Sequence, residues 1–252
     1  MLEIRNLSAG YPGNRVLENI SLSVPGGAVT VIAGPNGCGK STLLKALTGI
    51  LPATGSVTLE GQELLTLDRQ QRARKVAFLP QNRQVPEITV KNLVLHGRFP
   101  YLSYPRRYRQ EDLRIAEAAM AQMGVKELAE RSLATLSGGQ RQKAYIAMAL
   151  AQDTPVVLMD EPNAFLDIAH QLQLMDQAKA LAEAGKTVVL VLHDISMAMN
   201  YADSLVLLSE GACLFQGCPE EAYHSGMLNR TFGVDVGRFA TPEGWKYYYR
   251  NR

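Results

Sequence analysis

The 252-residue sequence has few cysteines and no long apolar run. Its cysteines are Cys38, Cys213 and Cys218, an odd number without a CxxC pair, which argues against a disulfide framework or a zinc knuckle and favours a reducing compartment. No apolar run approaches the roughly 18–20 residues that span a bilayer, and the N-terminus lacks the basic and apolar regions of a signal peptide. We therefore expect any membrane association to come through a partner.

A strong excess of charge of one sign is also lacking. Lysine and arginine number 26 against 24 acidic residues, so the formal net charge is +2 at pH 7, and whole-chain charge gives no case for a nucleic-acid partner. Hydrophobic residues make up 46% and charged residues 20%, which is ordinary for a globular protein with a sizeable core. The length fits one large α/β domain or two intimately joined subdomains.

Three short apolar runs predict buried strands: VTVIA at Val29–Ala33, VVLM at Val156–Met159 and VVLVL at Val188–Leu192. Each run is continuous rather than alternating, as in strands buried on both faces of a parallel sheet. Polar or glycine-rich residues follow each run at once, and ligands of open α/β sheets bind beyond the carboxyl ends of the strands. We therefore expect these distant segments to converge on one site.

Different patterns surround these runs. Ile20, Leu22 and Val24 alternate with polar residues and SVTLEGQEL reads as strand, turn and strand, so antiparallel β structure is expected near the N-terminus. From about Ile88 to Gln152 the pattern is mainly helical, and a late hairpin is expected to turn near Glu210–Gly211.

Two helices show a clear apolar face. The first is expected to end at Gly124 and the second at Gly185. The predicted buried faces are Leu113, Ala116, Met120 and Met123 in the first helix, and Leu172, Met175, Ala178 and Leu181 in the second.

The segment GPNGCGKS satisfies G-x-x-x-x-G-K-[ST] between an expected strand and a helix expected from Leu43 onward. Its glycines let backbone N–H groups surround phosphate oxygens, and the helix N-terminus adds partial positive charge. Lys40 can reach the β- and γ-phosphates, and Ser41 can ligate Mg²⁺. A glycine-rich turn without a ligand is the alternative, which the agreement of strand, loop and helix disfavours. The candidate nucleotide-binding residues here are Gly34, Pro35, Asn36, Gly37, Cys38, Gly39, Lys40, Ser41 and Thr42.

Polar residues also follow the other two apolar runs. Asp160 comes after VVLM, where a carboxylate can hold Mg²⁺ directly or through water. The next residue, Glu161, can orient or deprotonate the attacking water. His193, after VVLVL, can hydrogen-bond the γ-phosphate or that water. A helix-capping or surface acidic pair and a core histidine are the alternatives, and the presence of the phosphate-loop motif in the same chain favours catalytic roles.

Two further residues are weaker candidates. Gln81 follows the β-like run KVAFLP, and its amide oxygen can ligate Mg²⁺ and sense the γ-phosphate, although a polar loop residue is the alternative. Tyr11 offers a flat face on which adenine can stack. The spacing alone decides neither assignment.

The segment LSGGQRQ opens, with two adjacent glycines, a helix that is expected to continue through Ala151. Ser137 is a good N-cap, and the N-terminus of a helix favours an anion. A second phosphate-binding helix end is surplus within one subunit that already has a phosphate loop. It is useful if two subunits pair with twofold symmetry, and a plainly capped helix is the alternative.

Together these segments resemble the motifs of ABC ATPases, in matching order across essentially the whole chain. GPNGCGKS resembles Walker A, LPQ the Q-loop, LSGGQRQ the signature motif, VVLMDEP Walker B, LD the D-loop and LHD the H-loop, and SAGY is similar to the stretch with the adenine-stacking aromatic. The resemblance implies a single ABC ATPase domain over residues 1–252. It would have an α/β P-loop NTPase core with a mainly parallel sheet, an N-terminal antiparallel β subdomain, and an inserted α-helical subdomain at about residues 86–152.

The resemblance also implies a head-to-tail homodimer with two ATP molecules between the subunits. Asp167 would cross the interface near the partner's phosphate loop. The segment NAFLD at residues 163–167 departs from the SALD that many members carry but keeps this aspartate. The residues that would face the partner's ATP are Ser137, Gly138, Gly139 and Gln140.

The segment GRFPYLS is similar to the GRxPxLS element of bacterial importers for iron-siderophore, haem and cobalamin. That resemblance implies contact with two polytopic permease subunits, a periplasmic or extracellular solute-binding protein as an indirect partner, and a peripheral place on the cytoplasmic face of the bacterial inner membrane. A solvated basic loop is the alternative for this region, which contains Arg98, Arg106, Arg107 and Arg109.

We therefore expect the ATPase subunit of an iron-chelate importer, with ATP and Mg²⁺ as cofactors and no nucleic-acid partner. Siderophore transport is favoured over haem or cobalamin import. The main alternative is an ABC ATPase outside transport, such as one in cofactor assembly.

Overall fold

A computed structural model of the protein describes residues 1–81, 85–164, 166–242 and 244–251. The chain divides into a first unit, Met1–Leu67 with Met175–Arg252, and a second unit, Asp68–Leu174. The strands are β1 (Leu2–Tyr11), β2 (Asn14–Val24), β3 (Val29–Ala33), β4 (Ala53–Leu59), β5 (Gln62–Glu63), β6 (Val76–Leu79), β7 (Val156–Asp160), β8 (Thr187–Val191), β9 (Ser204–Ser209), β10 (Ala212–Gly217), β11 (Val234–Thr241) and β12 (Gly244–Asn251). The α-helices are α1 (Lys40–Leu47), α2 (Arg69–Ala73), α3 (Val90–His96), α4 (Gln110–Gln122), α5 (Gly138–Ala151), α6 (Ile168–Glu183), α7 (Ile195–Tyr201), α8 (Pro219–Ser225) and α9 (Met227–Phe232).

The first unit contains an antiparallel sheet and a set of parallel strands. The antiparallel sheet has the order β2-β1-β4-β5, which confirms the alternating pattern near the N-terminus. Every residue of β3 is buried, and the strand pairs in parallel with β8 and β9. The hairpin of β9 and β10 turns through Glu210 and Gly211, both with positive φ, as predicted.

The second unit combines two parallel strands with helices. Val76 of β6 pairs with Val156 of β7, and all five residues of β7 are buried. The helices α3, α4 and α5 pack on one another. The α/β fold class, the three apolar strands and the helical character between Ile88 and Gln152 are therefore confirmed.

Arg98 is a buried structural residue, so the alternative of a solvated basic loop does not hold at this position. Its side chain is buried, with only 5% of the residue exposed. The guanidinium donates from Nε to Asp112 Oδ1 and from a terminal nitrogen to the Ala151 carbonyl, both at 2.9 Å. Its central carbon lies 4.0 Å from the centre of the Tyr101 ring. The composition of a loop cannot reveal such pairing, because Asp112 is outside the loop.

The two predicted apolar faces are correct except at their first leucines. Leu113 is 37% and Leu172 41% exposed. On α4 the buried face includes Asp112 instead, because this carboxylate pairs with buried Arg98. On α6 the buried position is Leu174, at 2% exposure.

The C-terminal residues form the antiparallel hairpin β11–β12, which is absent from the elements expected from the sequence. The Asn200 side chain on α7 accepts from the Tyr247 N–H at 2.9 Å and donates to the Tyr247 carbonyl at 3.1 Å. The Asn200 amide thereby pairs with both backbone groups of Tyr247, as a residue of a neighbouring strand would do. None of the helices in the described parts of the chain is long and apolar enough to cross a membrane.

Candidate functional site

The phosphate-loop motif folds as a loop that passes directly into α1. The helix begins at Lys40 rather than at Leu43, so Lys40, Ser41 and Thr42 form its first turn. The Lys40 ammonium donates to the carbonyls of Gly34 at 2.8 Å and Pro35 at 2.9 Å. The loop therefore curls around the lysine amine and holds it at the helix N-terminus, where an anion is favoured.

Two glycines of this loop have no room for a side chain. A Cβ on Gly34 would collide with the carbonyl oxygen of Leu208, and a Cβ on Gly39 would lie 2.5 Å from Leu17 Cδ2. Gly39 also has φ of 107°, a conformation that favours glycine. The surrounding first unit thus fixes the path of the loop.

The turn between β9 and β10 is hydrogen-bonded to the phosphate loop. The Gly211 N–H donates to the Cys38 carbonyl at 3.2 Å, while the Gly211 carbonyl accepts from the Glu18 N–H at 3.1 Å. Burial raises the pKa of the Cys38 thiol, although the Lys40 ammonium opposes this shift. A buried, protonated thiol is a poor nucleophile, which favours a structural role for Cys38.

Tyr11 lies beside a cavity in the first unit. The cavity has a volume of about 480 Å³ and is lined by residues of 8–15 and 52–54. Tyr11 is 44% exposed, and its hydroxyl accepts from the Lys45 ammonium at 3.3 Å. An exposed ring beside an open cavity suits stacking of a flat base.

The second unit brings two predicted site residues together. Gln81 follows β6 and donates a short hydrogen bond from its amide to Glu161 Oε2. Glu161 follows the end of β7 with φ of 49°, a left-handed conformation that is uncommon outside glycine. Asp160, the last residue of β7, is only 2% exposed. The carboxylate pair is therefore held by a buried strand end and a sharp turn.

The signature helix α5 begins as the sequence predicts. Ser137 is its N-cap: Ser137 Oγ accepts from the Gln140 N–H and Gln140 Oε1 accepts from the Ser137 N–H, both at 3.2 Å. We call Ser137–Gln140 the signature tip. An added Cβ on Gly139 would meet Leu166 Cδ2 at 3.7 Å, an ordinary contact. The packing of this subunit therefore does not require glycine at position 139, although glycine costs about 0.5–1 kcal/mol in a helix relative to alanine.

Asp167 lies close to the signature tip. Residues of the tip line a cavity of about 460 Å³ together with Lys143, Asp167 and His170. Asp167 Oδ1 accepts from the His170 N–H at 2.9 Å and contacts His170 Nδ1 at 2.8 Å, and these two bonds lower the pKa of the Asp167 carboxyl. His170 was not predicted as a site residue. The available signal was an aspartate three residues before it, in the N-cap position of a helix.

His193 follows β8 by two residues and is exposed. The next residue, Asp194, caps α7 by accepting from the Met197 N–H at 3.0 Å. Phe165, which belongs to the unusual NAFLD segment, lies outside the described residues. The predicted convergence of the three strand ends involves both units and stays a prediction.

The candidate Mg²⁺ ligands fit the chemistry of that ion. Among the described residues, no cluster of three or more His, Cys, Asp or Glu side chains could hold a metal. The candidates Ser41, Gln81 and Asp160 instead offer hydroxyl, amide and carboxylate oxygens. Hard oxygen donors in small number suit Mg²⁺, which usually keeps several waters and binds substrate phosphates.

Comparison with known proteins extends this description. Residues 17–164 match a family described as ABC transporter. The chain is 42% identical over 234 residues to the achromobactin transport ATP-binding protein CbrD of Dickeya dadantii, covering 92% of this chain and 87% of that protein. It is 43% identical over 231 residues to the ferric enterobactin transport ATP-binding protein FepC of Escherichia coli, covering 90% of this chain and 85% of that protein.

A solved structure covers nearly the whole chain. It is an inward-facing conformation of an ABC transporter described as of the metal-chelate type, and it is 26% identical. The TM-score is 0.84, with 99% of this chain and 96% of that chain covered. The fold described above is therefore found in a protein with the same family description.

Proposed function

Because this chain belongs to the ABC transporter family, we propose that it is the ATP-binding and ATP-hydrolysing subunit of a bacterial importer for an iron chelate of the siderophore type. The main support is the similarity, over nine-tenths of the chain, to proteins named for achromobactin and ferric enterobactin transport. The phosphate loop provides the chemical support, because its curled backbone and buried Lys40 suit a nucleotide's phosphates.

Each predicted site residue has a role in this proposal. Residues Gly34–Thr42 bind the phosphates, with Lys40 on the β- and γ-phosphates, and Tyr11 stacks on adenine. Ser41, Gln81 and Asp160 would hold Mg²⁺, which, when bound, neutralises developing phosphate charge. The catalytic residues are Glu161, which orients or deprotonates the water, and His193, which hydrogen-bonds the γ-phosphate or that water.

We further propose that a second copy of the chain completes each nucleotide site. The signature tip would face the ATP of the partner subunit, and Asp167 would approach the partner's phosphate loop. The supporting observation is Gly139, which the packing of its own subunit does not require. A bare helix N-terminus would allow a phosphate of another molecule close to its N–H groups.

ATP then drives a cycle of closing and opening. The signature tip gains a phosphate partner only in the closed dimer, so ATP favours that state, and hydrolysis removes the contact. The motion would pass to two permease subunits through the region from Gln81 to Tyr104, of which residues 82–84 lie outside the described residues. The subunit would thus lie on the cytoplasmic face of the inner membrane, and a solute-binding protein would act on it only indirectly.

The proposed domain organisation is a single ABC ATPase domain over residues 1–252. Its helical subdomain would occupy about residues 86–152. In support, α3, α4 and α5 all lie within these limits.

The experiment that tests the proposal is isolation of the chain with its permease subunits. We expect ATPase turnover of the reconstituted complex to rise when a solute-binding protein loaded with a ferric siderophore is added. If a solute-binding protein loaded with haem or cobalamin raised the ATPase turnover instead, that compound would be the transported solute. Failure to co-purify with any polytopic membrane protein would favour the alternative, an ABC ATPase that acts in cofactor assembly.

A further inference from the structure

His170 lies in the first turn of α6, three residues after Asp167. Its backbone N–H and its ring Nδ1 both lie within bonding distance of one oxygen, Asp167 Oδ1, at 2.9 and 2.8 Å. Because an ionised carboxylate only accepts hydrogen bonds, Nδ1 carries the proton in this pair. The Asp167 side chain is 67% exposed, so the two bonds restrict a group that is otherwise surrounded by water.

The pair shares a cavity with the signature tip. The titratable residues lining the cavity are Lys143, Asp167 and His170, and the rest of the lining is uncharged. Lys143 lies one turn along α5 from the tip, and its positive charge also lowers the pKa of Asp167. A cavity that accepts a phosphate beside a carboxylate needs nearby positive charge, which Lys143 supplies.

We infer that His170 is a positioning residue whose ring holds the Asp167 carboxylate in the orientation in which it meets the partner subunit. This inference rests on the proposed dimer. A side chain that is already fixed loses less conformational freedom when the partner arrives, so the closed dimer forms more readily. His170 would act on hydrolysis through Asp167, to which it is hydrogen-bonded.

Two substitutions separate this role from simple helix capping. His170→Ala keeps the backbone N–H that caps α6 but removes the ring bond. His170→Asn places an amide N–H close to the position of Nδ1, so it keeps the bond to Asp167 without the imidazole ring. A residue that served only to start the helix would show no such difference.

The test measures kcat and the nucleotide Kd of the isolated subunit for each variant. We expect His170→Ala to lower kcat about two- to ten-fold, the effect of one lost hydrogen bond, with nucleotide Kd unchanged. His170→Asn should recover kcat to within about two-fold. In an Asp167→Ala background, His170→Ala should cause no further loss, because the two residues act as one unit.

A matched control is His224→Ala. His224 is exposed and lies 3.8 Å from a carboxylate on its own helix, that of Glu220. We expect this variant to keep the wild-type kcat. If His224→Ala lowered kcat as much as His170→Ala does, the assay would be responding to the removal of any histidine, and the inference would be overturned.

The ring pairing can be measured without activity. The chain has four histidines, and NMR of their ring nitrogens should show that Asp167→Ala shifts the Nδ1 resonance of His170, because the substitution removes the hydrogen-bond acceptor of that nitrogen. An unchanged Nδ1 resonance, full kcat in His170→Ala, or an equal loss in the Asp167→Ala background would each overturn the role. A wild-type chain without ATPase activity would instead contradict the proposed function, and the Nδ1 resonance would still test the pairing.

Discussion

Glu161 shows how much a single residue can be constrained in this protein. Its left-handed backbone conformation, with φ of 49°, costs of the order of 1–3 kcal/mol for a residue other than glycine. The carboxylate also accepts from the Gln81 amide. A strained backbone and a fixed carboxylate at the end of a buried strand are features of functional sites.

We predict that Glu161→Gln slows ATP hydrolysis by about 10²–10⁴-fold. The amide keeps the shape and the contact with Gln81 but can no longer accept a proton, so ATP binding should remain. Steady-state phosphate release measures the loss, and nucleotide titration measures the binding.

Glu130→Gln is the control for this prediction. Glu130 is an exposed carboxylate whose side chain is 77% accessible and which pairs only weakly with Lys91 at 3.4 Å. Its replacement should leave turnover unchanged. Undiminished hydrolysis in Glu161→Gln would remove Glu161 from the role of base.

We also predict that Gly139→Ala separates folding from hydrolysis. The added methyl group fits within the subunit, and alanine favours the helix by about 0.5–1 kcal/mol, so thermal stability should hold or rise. Hydrolysis should fall by about 10²-fold, because the methyl group displaces the phosphate of the ATP bound by the partner subunit.

Gly26→Ala is a control, since its Cβ would also meet only ordinary contacts, the nearest at 3.5 Å. Equal turnover in the two variants would contradict the proposal for the signature tip.

At the scale of elements, the buried pair of Arg98 and Asp112 joins α4 to the end of α5. Arg98 donates both to Asp112 and to the Ala151 carbonyl at the end of α5. Burial opposes ionisation of Asp112, but hydrogen bonds from the Arg109 backbone and the Arg98 side chain lower its pKa below the ordinary 3.8. The second unit therefore depends on a charged pair inside it.

We predict that Asp112→Asn lowers the free energy of unfolding by about 3–5 kcal/mol, because it leaves Arg98 buried without its counter-charge. Chemical denaturation at pH 7 measures this change. Since the folded pKa is lowered, the stabilisation by Asp112 is present above about pH 4 and is lost as the pH falls through the folded pKa. The wild type should therefore lose stability in that range faster than Asp112→Asn. Parallel pH profiles would contradict this account.

The C-terminal hairpin depends on another element-scale contact, that between Asn200 and Tyr247. We predict that Asn200→Ala lowers the free energy of unfolding by about 1–3 kcal/mol, because the Tyr247 N–H loses its partner and the Tyr247 carbonyl keeps only the hydrogen bond from Ser196 Oγ. Trypsin should then cleave within the hairpin, for example after Lys246, faster than in the wild type. Asn200→Asp keeps only the acceptor and should have an intermediate effect. Unchanged proteolysis in Asn200→Ala would show that the amide does not hold the hairpin.

Elements with a strong local pattern could be predicted from the sequence. The strands β3, β7 and β8 are continuous apolar runs, and the Ser137 cap follows from residue type and spacing. The start of α1 was placed three residues late, because the loop passes into the helix through Gly39 without a capping side chain. The hairpin β11–β12 was not predicted, although its aromatic run had the composition of a strand.

At the scale of the whole molecule, the two units contain different parts of the candidate site. The first contains the phosphate loop, Tyr11 and His193, and the second contains the carboxylates, Gln81 and the signature tip. The motifs could be predicted because nucleotide chemistry requires fixed residue types at fixed spacing. The burial of Arg98 could not, because it depends on which side chains meet after folding. The pairing of Asp167 with His170 was missed although it is a local contact with a sequence signal, an aspartate in the N-cap position three residues before the histidine.

We have proposed that a second copy of the chain completes each nucleotide site. The most direct measurement is the molar mass of Glu161→Gln by light scattering, with ATP and Mg²⁺ and then with ADP. We predict that the mass doubles with ATP, with two nucleotides per dimer, and returns to that of one chain with ADP, while Gly139→Ala in the same background binds ATP but stays monomeric. A single-chain mass for Glu161→Gln saturated with ATP would contradict the claim.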